Sequence, residues 1–265
     1  MRRIQIEPRQ NWQQKVEQCG LVFHTEDQAV YWNESAYYEF TSSEIDDLET
    51  ASNELHKMCM DAVEHVIANK RYDAFGLNPQ TIQAIEWAWE AEPPNLYGRF
   101  DFVYDGTSAP KLLEYNADTP TSLLEAAVVQ WKWLQEVFPN SDQFNSIWEG
   151  LIEQWKWLKD NRKLLGSQIH FAHGDLWEDE LTVAVLRDTA QEAGLATQGI
   201  QMKDIIVYFI KLILVNPTVG FFAGCAAGAT NNHSNNAAPS NAVTATFIVG
   251  FFANLIITYA AYLVR

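Results

Sequence analysis

Four side chains on one short stretch have the types and spacing for metal and phosphate chemistry: Arg99, Asp101, Glu114 and Asn116. They fall in RFDFVYDGTSAPKLLEYN, which reads as a β-hairpin. One strand runs from Arg99 to Tyr104, the turn carries Asp105-Gly106 and closes at Pro110, and the return strand runs from Lys111 to Asn116. Strand side chains alternate faces. Phe100 and Phe102 therefore share an expected core face with Leu113 and Tyr115, while Arg99 and Asp101 point the other way with Glu114 and Asn116. If Tyr104 pairs with Lys111, Asp101 lies opposite Glu114 and Arg99 opposite Asn116. Directly opposed residues sit about 5 Å apart at Cβ, and like charges there repel. Two carboxylates held face to face want a cation between them. Arg99 is one candidate, and a hard divalent metal is another, because Asp, Glu and Asn all offer oxygen ligands. The plain alternative is the solvated outer face of an ordinary amphipathic hairpin.

The return strand leads into Asn116-Ala-Asp-Thr-Pro-Thr-Ser, a polar turn before the apolar run Leu123 to Trp133. Thr121 or Ser122 is placed to cap a helix there, with Glu125 in position for a capping box. A helix N-terminus at the end of an acidic strand sets an anion site beside a cation site. Metal plus phosphate is the natural occupant.

The elements that must position this stretch are mostly helical. IEPRQNWQQKVEQCG predicts a short helix stopped at Gly20. LVFHT and AVYWNESAYYEF are aromatic-rich; Tyr31, Trp32, Tyr37 and Tyr38 read as packing residues, with a substrate wall as the alternative. Thr41-Ser-Ser-Glu44 is a capping box that opens a long helix from Ser42 to about Lys70, with one apolar face. His56 and His65 lie off the i, i+4 spacing of a helical metal pair. Asn78-Pro79 starts a helix through Trp87 and Trp89, ended by Pro93-Pro94. After the hairpin come a buried helix from Leu123 to Phe138 and another from Gln143 to about Leu165, the latter with Trp148, Leu151, Ile152, Trp155 and Leu158 on its apolar face. Trp131, Trp133, Trp155 and Trp157 read as core. Gln168 to Ala172 is a short strand, and Ala196 to Ile200 the next. His170, His173 and the acids Glu178 to Glu180 invite a metal reading, but acids at the start of the helix Leu181 to Ala193 also suit its dipole.

Several of these blocks together resemble the glutathionylspermidine synthetase family and its bacterial relatives with provisional acid–amine ligase names. They are RFDF, LLEYNADTPTSLLEAA, SDQFNS (Ser141 to Ser146) and FHT…YW…AYYEFT. The resemblance runs from about Ile4 to about Ile205. It implies an ATP-grasp fold and ATP-dependent joining of a carboxylate to an amine through an acyl phosphate. By the same resemblance, Asp101, Glu114 and Asn116 match magnesium ligands. Arg99 matches a catalytic arginine that contacts nucleotide and acid substrate, and Asp101 also faces the nucleotide. Thr119, Thr121 and Ser122 fall on the loop that holds the acid. The expected fold class is α/β, the N-terminal part of an ATP-grasp-type ligase: a pre-ATP-grasp domain over residues 1–204, with an antiparallel metal-site hairpin. The expected cofactors are Mg2+ and ATP, and the expected partners a small acid and an amine such as a polyamine.

Composition fits this and excludes little else. The chain has 265 residues, 48% hydrophobic and 13% aromatic, with ten tryptophans, so a sizeable core is possible. A net charge of −16 argues against nucleic acid, which asks for a basic face, and suits a cationic substrate. Cys19, Cys59 and Cys225 form no disulfide framework or metal spacing, which fits a reducing compartment. No secretory signal is expected, since the N-terminus lacks an apolar core region.

Ile206 to Arg265 is a different kind of chain, with no Asp or Glu and only Lys211 and Arg265 as basic residues. Ile205 to Ala229 is apolar apart from Lys211 and Asn216-Pro217. Ala242 to Val264 carries no charge, and the loop Thr230 to Asn241 between them is polar. About 20 apolar residues in a helix span a hydrocarbon core, so 205–265 reads as a two-helix membrane hairpin with both ends in the cytoplasm. Gly220, Gly224 and Gly228 offer a close-packing face. The family's nucleotide-binding body has no counterpart here. The leading expectation is a ligase homologue, truncated and inactive alone. The rival is a non-enzymatic membrane-tethered binding module, or a fusion at Met202-Lys203-Asp204 with an unrelated small membrane protein.

Overall fold

A computed structural model of the chain describes residues 1–93, 95–161, 164 and 168–205. The expected membrane hairpin lies, past Ile205 itself, outside the described residues. Among those residues no helix is long and apolar enough to cross a membrane.

The N-terminal strand β1 (Arg2–Gln5) pairs antiparallel with β4 (Ala36–Glu39). Between them lie α1 (Trp12–Gln18), ended at Gly20 with φ 102°, and the small hairpin of β2 (Thr25–Glu26) and β3 (Ala29–Val30). A buried ion pair ties this region together: Arg9 Nε donates to Glu34 Oε2 at 2.9 Å, and Trp32 Nε1 donates to Glu34 Oε1 at 3.2 Å. The long helix α2 (Ser42–Ala68) starts at the expected capping box. The Glu44 N–H donates to Thr41 Oγ1, and the Thr41 N–H donates to Glu44 Oε2. α3 (Pro79–Ala91) begins with Asn78 Oδ1 accepting the Thr81 N–H at 2.9 Å.

After the hairpin of β5 (Arg99–Val103) and β6 (Lys111–Asn116) the chain turns into α4 (Gln130–Val137), then α5 (Ile147–Asp160). α5 starts later than the Ser141-Asp142 signal predicts, where Asn145 Oδ1 accepts the Ile147 N–H at 3.0 Å. β7 (Gln168–His173), α6 (Trp177–Glu192) and β8 (Ala196–Gln201) form a βαβ unit whose strands pair in parallel. α6 begins at Trp177, so all three acids lie in its first turn.

Two apolar clusters organise these elements. The larger joins Val16, Leu123, Leu124, Val129, Trp155, Phe171, Val183 and Leu186. The smaller joins Val63, Val66, Tyr72 and Ile85, with Tyr115 and Ala117 packed against it. Trp155 is fully buried, its indole donating to Thr189 Oγ1 at 3.2 Å and its ring edge-on to Phe171. The reading of Trp131, Trp133, Trp155 and Trp157 as core is corrected in part: Trp157, on the outer side of the same helix, is 48% exposed, and Trp131 is 38% exposed. Tyr31 and Tyr38 are likewise exposed rather than packed inside. Trp155→Ala is expected to lower stability by about 3–5 kcal/mol, and Trp157→Ala by under about 0.5 kcal/mol. Urea unfolding followed by circular dichroism measures both, and equal effects would contradict this packing.

Candidate functional site

The site is built on the β5–β6 ribbon and the loop that leaves it. In the turn, the Asp105 carboxylate accepts from the backbone N–H groups of Thr107 at 2.9 Å and Ser108 at 2.7 Å, and from both hydroxyls. These bonds hold its carboxyl well below the usual carboxylate range. Gly106 takes φ 81°, a left-handed conformation that glycine adopts without a Cβ clash.

Asp101 pairs with Glu114 across the ribbon, and Arg99 with Asn116. The closing pair is nevertheless Val103 with Lys111, not Tyr104 with Lys111. A β-bulge accounts for the difference: Phe102 pairs with Leu112, which leaves Leu113 as the inserted residue. Leu113 is 65% exposed, so its expected place on the core face is corrected. The apolar face is Phe100 stacked on Tyr115 at 3.9 Å between centroids, with Phe102 beside it. Gly98 allows this approach, since a Cβ there would lie 2.7 Å from Tyr115 Cε2.

Arg99 supplies the cation between the strands. Its Nε donates to Asp101 Oδ1 at 2.8 Å and its Nη2 to Asp101 Oδ2 at 3.3 Å, a two-pronged grip that fixes geometry as well as charge. Asp101, with Glu114 adding its field, strengthens the guanidinium's hold on its proton. The third arm, Nη1, donates to the Thr121 carbonyl at 3.3 Å and so joins the ribbon to the loop.

Each residue from Asp118 to Ser122 is anchored. Asn116 Oδ1 accepts the N–H groups of Asp118 and Thr119, both at 3.2 Å. Tyr97 donates its hydroxyl to the Pro120 carbonyl at 2.6 Å. Thr121 Oγ1 donates to Glu178 Oε2 at 3.5 Å. Ser122 takes φ 72°, unusual for a residue with a Cβ, and its carbonyl accepts the Ala126 N–H at 3.2 Å.

The expected capping box at Ser122 and Glu125 does not form. Residues Glu125–Val129 form a π-turn before α4. The Glu125 carboxylate, 9% exposed, accepts the Tyr31 hydroxyl at 2.7 Å instead of reaching back to Ser122. Asn145 Nδ2 donates to the Ala126 carbonyl inside that turn. The periodicity of Leu123 to Phe138 held no sign of the π-turn, and the reach of Asn145 is long-range.

At the start of α6, His173 and Asp179 are buried. Burial, then neighbouring Glu178, raises the Asp179 carboxyl, with His173 opposing. Among the described residues no three His, Cys, Asp or Glu side chains are placed to hold a metal. Asp118 is a residue that sequence reasoning passed over; burial pushes its carboxyl up to about 6. Its only sequence signal is its place between Asn116 and Thr119.

The site therefore presents two opposed carboxylates and an amide oxygen beside a pinned polar loop. Oxygen donors of this kind suit a hard cation. Residues 3–213 match the family described as glutathionylspermidine synthase pre-ATP-grasp, a match that runs past Ile205. A Haemophilus influenzae protein with the provisional name acid–amine ligase is 39% identical over 177 residues, 66% of this chain and 45% of that protein. Trypanothione synthetase of Crithidia fasciculata is 34% identical over 86 residues, 32% of this chain and 13% of its own. The bifunctional glutathionylspermidine synthetase/amidase of Escherichia coli is 30% identical over 102 residues, 38% of this chain and 16% of its own. The chain spans less than half the length of these relatives. With four-fifths of its length inside the family match, it belongs to the glutathionylspermidine synthase pre-ATP-grasp family.

Proposed function

We propose that this chain carries the metal- and acid-binding face of an ATP-dependent carboxylate–amine ligase. The supporting observation is the cross-strand pair of Asp101 and Glu114, with Arg99 gripping Asp101 and the Thr121 carbonyl together. Asp101, Glu114 and Asn116 would hold Mg2+, which when bound neutralises phosphate charge on ATP. Magnesium is commonly held by one or two carboxylates plus phosphates and waters, so this small donor set is sufficient. Asn116 would share its amide oxygen between the metal and the loop N–H groups. Arg99 would stabilise charge that develops on the transferring phosphoryl group. Thr119, Thr121 and Ser122 would orient the carboxylate of the acid.

The names of the relatives suggest a glutathione-like acid and a spermidine-like amine. A net charge of −16 would favour approach of a polycation at low salt. The family match is to the pre-ATP-grasp part, so these residues alone are expected to bind but not to turn over. A second reading rests on the charge break after Ile205: a membrane-tethered module in which Ile206 to Arg265, without a single acid, associates with lipid and the rest faces the cytoplasm.

Calorimetry of the chain with Mg2+ and ATP should give weak binding that Asp101→Ala reduces about tenfold or more, as expected for loss of a charged ligand of about 1.5–3 kcal/mol. ADP release with glutathione and spermidine should stay at background, and robust release would overturn the binding-only expectation.

Asp118 gives a pH signature. Its folded-state value of about 6 lies above its ordinary 3.8, so the folded state holds the proton more tightly. Stability from this group is full below pH 4 and lost as pH rises through 6. In EDTA, Asp118→Asn should flatten that slope and raise stability at pH 7 by about 1–2 kcal/mol after allowance for solvent screening. An unchanged slope would contradict burial of this carboxyl.

In cell fractionation, the full chain should enter the membrane pellet while residues 1–205 stay in the supernatant. A full chain that remains monomeric in the supernatant without detergent would remove the membrane reading.

A further inference from the structure

We infer that Tyr31 is a positioning residue for the acid-substrate loop, acting through Glu125 and Ser122. The inference rests on the reading of Thr119, Thr121 and Ser122 as the acid-binding segment. Three observations meet at this point. Glu125 is more than nine-tenths buried, and its carboxylate accepts the Tyr31 hydroxyl at 2.7 Å. The Ser122 carbonyl accepts the N–H of Ala126, the neighbour of Glu125, at 3.2 Å. Ser122 itself stands at φ 72°, where a residue with a Cβ stays only if its surroundings hold it.

Tyr31 comes from a different element than the loop, ninety-four residues from Glu125 in sequence. Its backbone is fixed by its own N–H donating to the His24 carbonyl at 2.9 Å, and its ring packs on Phe23 at 5.0 Å. The hydroxyl is therefore delivered from a braced position. The ring remains 45% exposed, so it stands at the edge of the loop as a wall that a substrate can reach. The π-turn supplies the other half of the clamp. It sets Glu125 under the phenol, and Asn145 takes up the Ala126 carbonyl within it. π-turns inside helices recur at functional sites. Partial burial, then the adjacent carboxylate, raises the phenol above its usual range.

The mechanism is one of pre-organisation. With the phenol in place, Ser122 and Thr121 are set before the acid arrives, and binding loses less freedom in ordering them. Without it, the buried Glu125 side chain has one donor fewer, and the turn that holds Ser122 is less tightly braced.

The experiment compares wild type, Tyr31→Phe and Glu125→Gln in the full chain. Calorimetry with glutathione in the presence of Mg2+ reads the loop, Mg2+ alone reads the ribbon, and hydrogen exchange of the amides of Asp118, Thr119, Thr121 and Ser122 reads order. Tyr31→Phe should weaken glutathione binding about tenfold, the size of one lost hydrogen bond. It should speed exchange in the loop while Mg2+ affinity stays within about twofold. Glu125→Gln should retain most of the glutathione affinity, because the amide oxygen still accepts the phenol. Wild-type glutathione affinity in Tyr31→Phe with unchanged loop exchange would overturn the inference, as would an equal loss for Mg2+. If wild type binds no glutathione, the acid-binding reading fails, and the exchange comparison alone decides whether Tyr31 positions the loop.

Discussion

Two carboxylates placed opposite one another on a two-stranded ribbon repel, and a single guanidinium converts that repulsion into structure. Arg99 grips Asp101 with two of its arms and extends the third to the Thr121 carbonyl. One side chain thereby fixes the charge balance of the ribbon and the distance from ribbon to loop. A lysine could not replace it, because an ammonium lacks the planar fork that makes both contacts at fixed angles.

The loop from Asp118 to Ser122 inherits its shape from both sides. Asn116, Tyr97 and Arg99 hold it from the ribbon, and Tyr31 with Glu125 holds it from the helix. The two ends are seated in different apolar clusters. Tyr115 and Ala117 pack with α2 and α3, whereas Leu123 and Leu124 pack with α5, α6 and β7. A loop strung between two cores moves if either core shifts, which places the burden of precision on helices far from Asp101. The buried Trp155 belongs to that supporting role: it fixes α5 against β7 and α6.

Much of this was legible in the residues. The opposition of Asp101 and Glu114 came from period-two alternation, the α2 cap from Thr41 and Glu44, and the family from several ordered blocks. The bulge was not legible, because alternation cannot reveal one inserted residue when Leu113 is as apolar as its neighbours. The pairing of Asp101 with Glu114 came out right although the closing pair was misplaced by one, since the bulge lies between them. The π-turn was hidden for a related reason: Leu123 to Val129 is apolar apart from Glu125, so an extra residue leaves no gap in the pattern. Tyr31 and Asn145 act across long stretches of chain, on groups that no local pattern names. The tail after Ile205 speaks through composition alone.

The bulge at Leu113 also bears on self-association. Among the described residues the β5–β6 ribbon pairs with no third strand, so both of its edges carry open backbone donors and acceptors. Val103 and Leu113 add exposed apolar surface beside them. A long, flat edge of that kind is a template for another copy of itself. An inserted residue bends the strand and tightens its twist, so two such ribbons cannot lie side by side over more than a few residues. The irregularity that keeps Asp101 facing Glu114 also keeps this hairpin from seeding fibres.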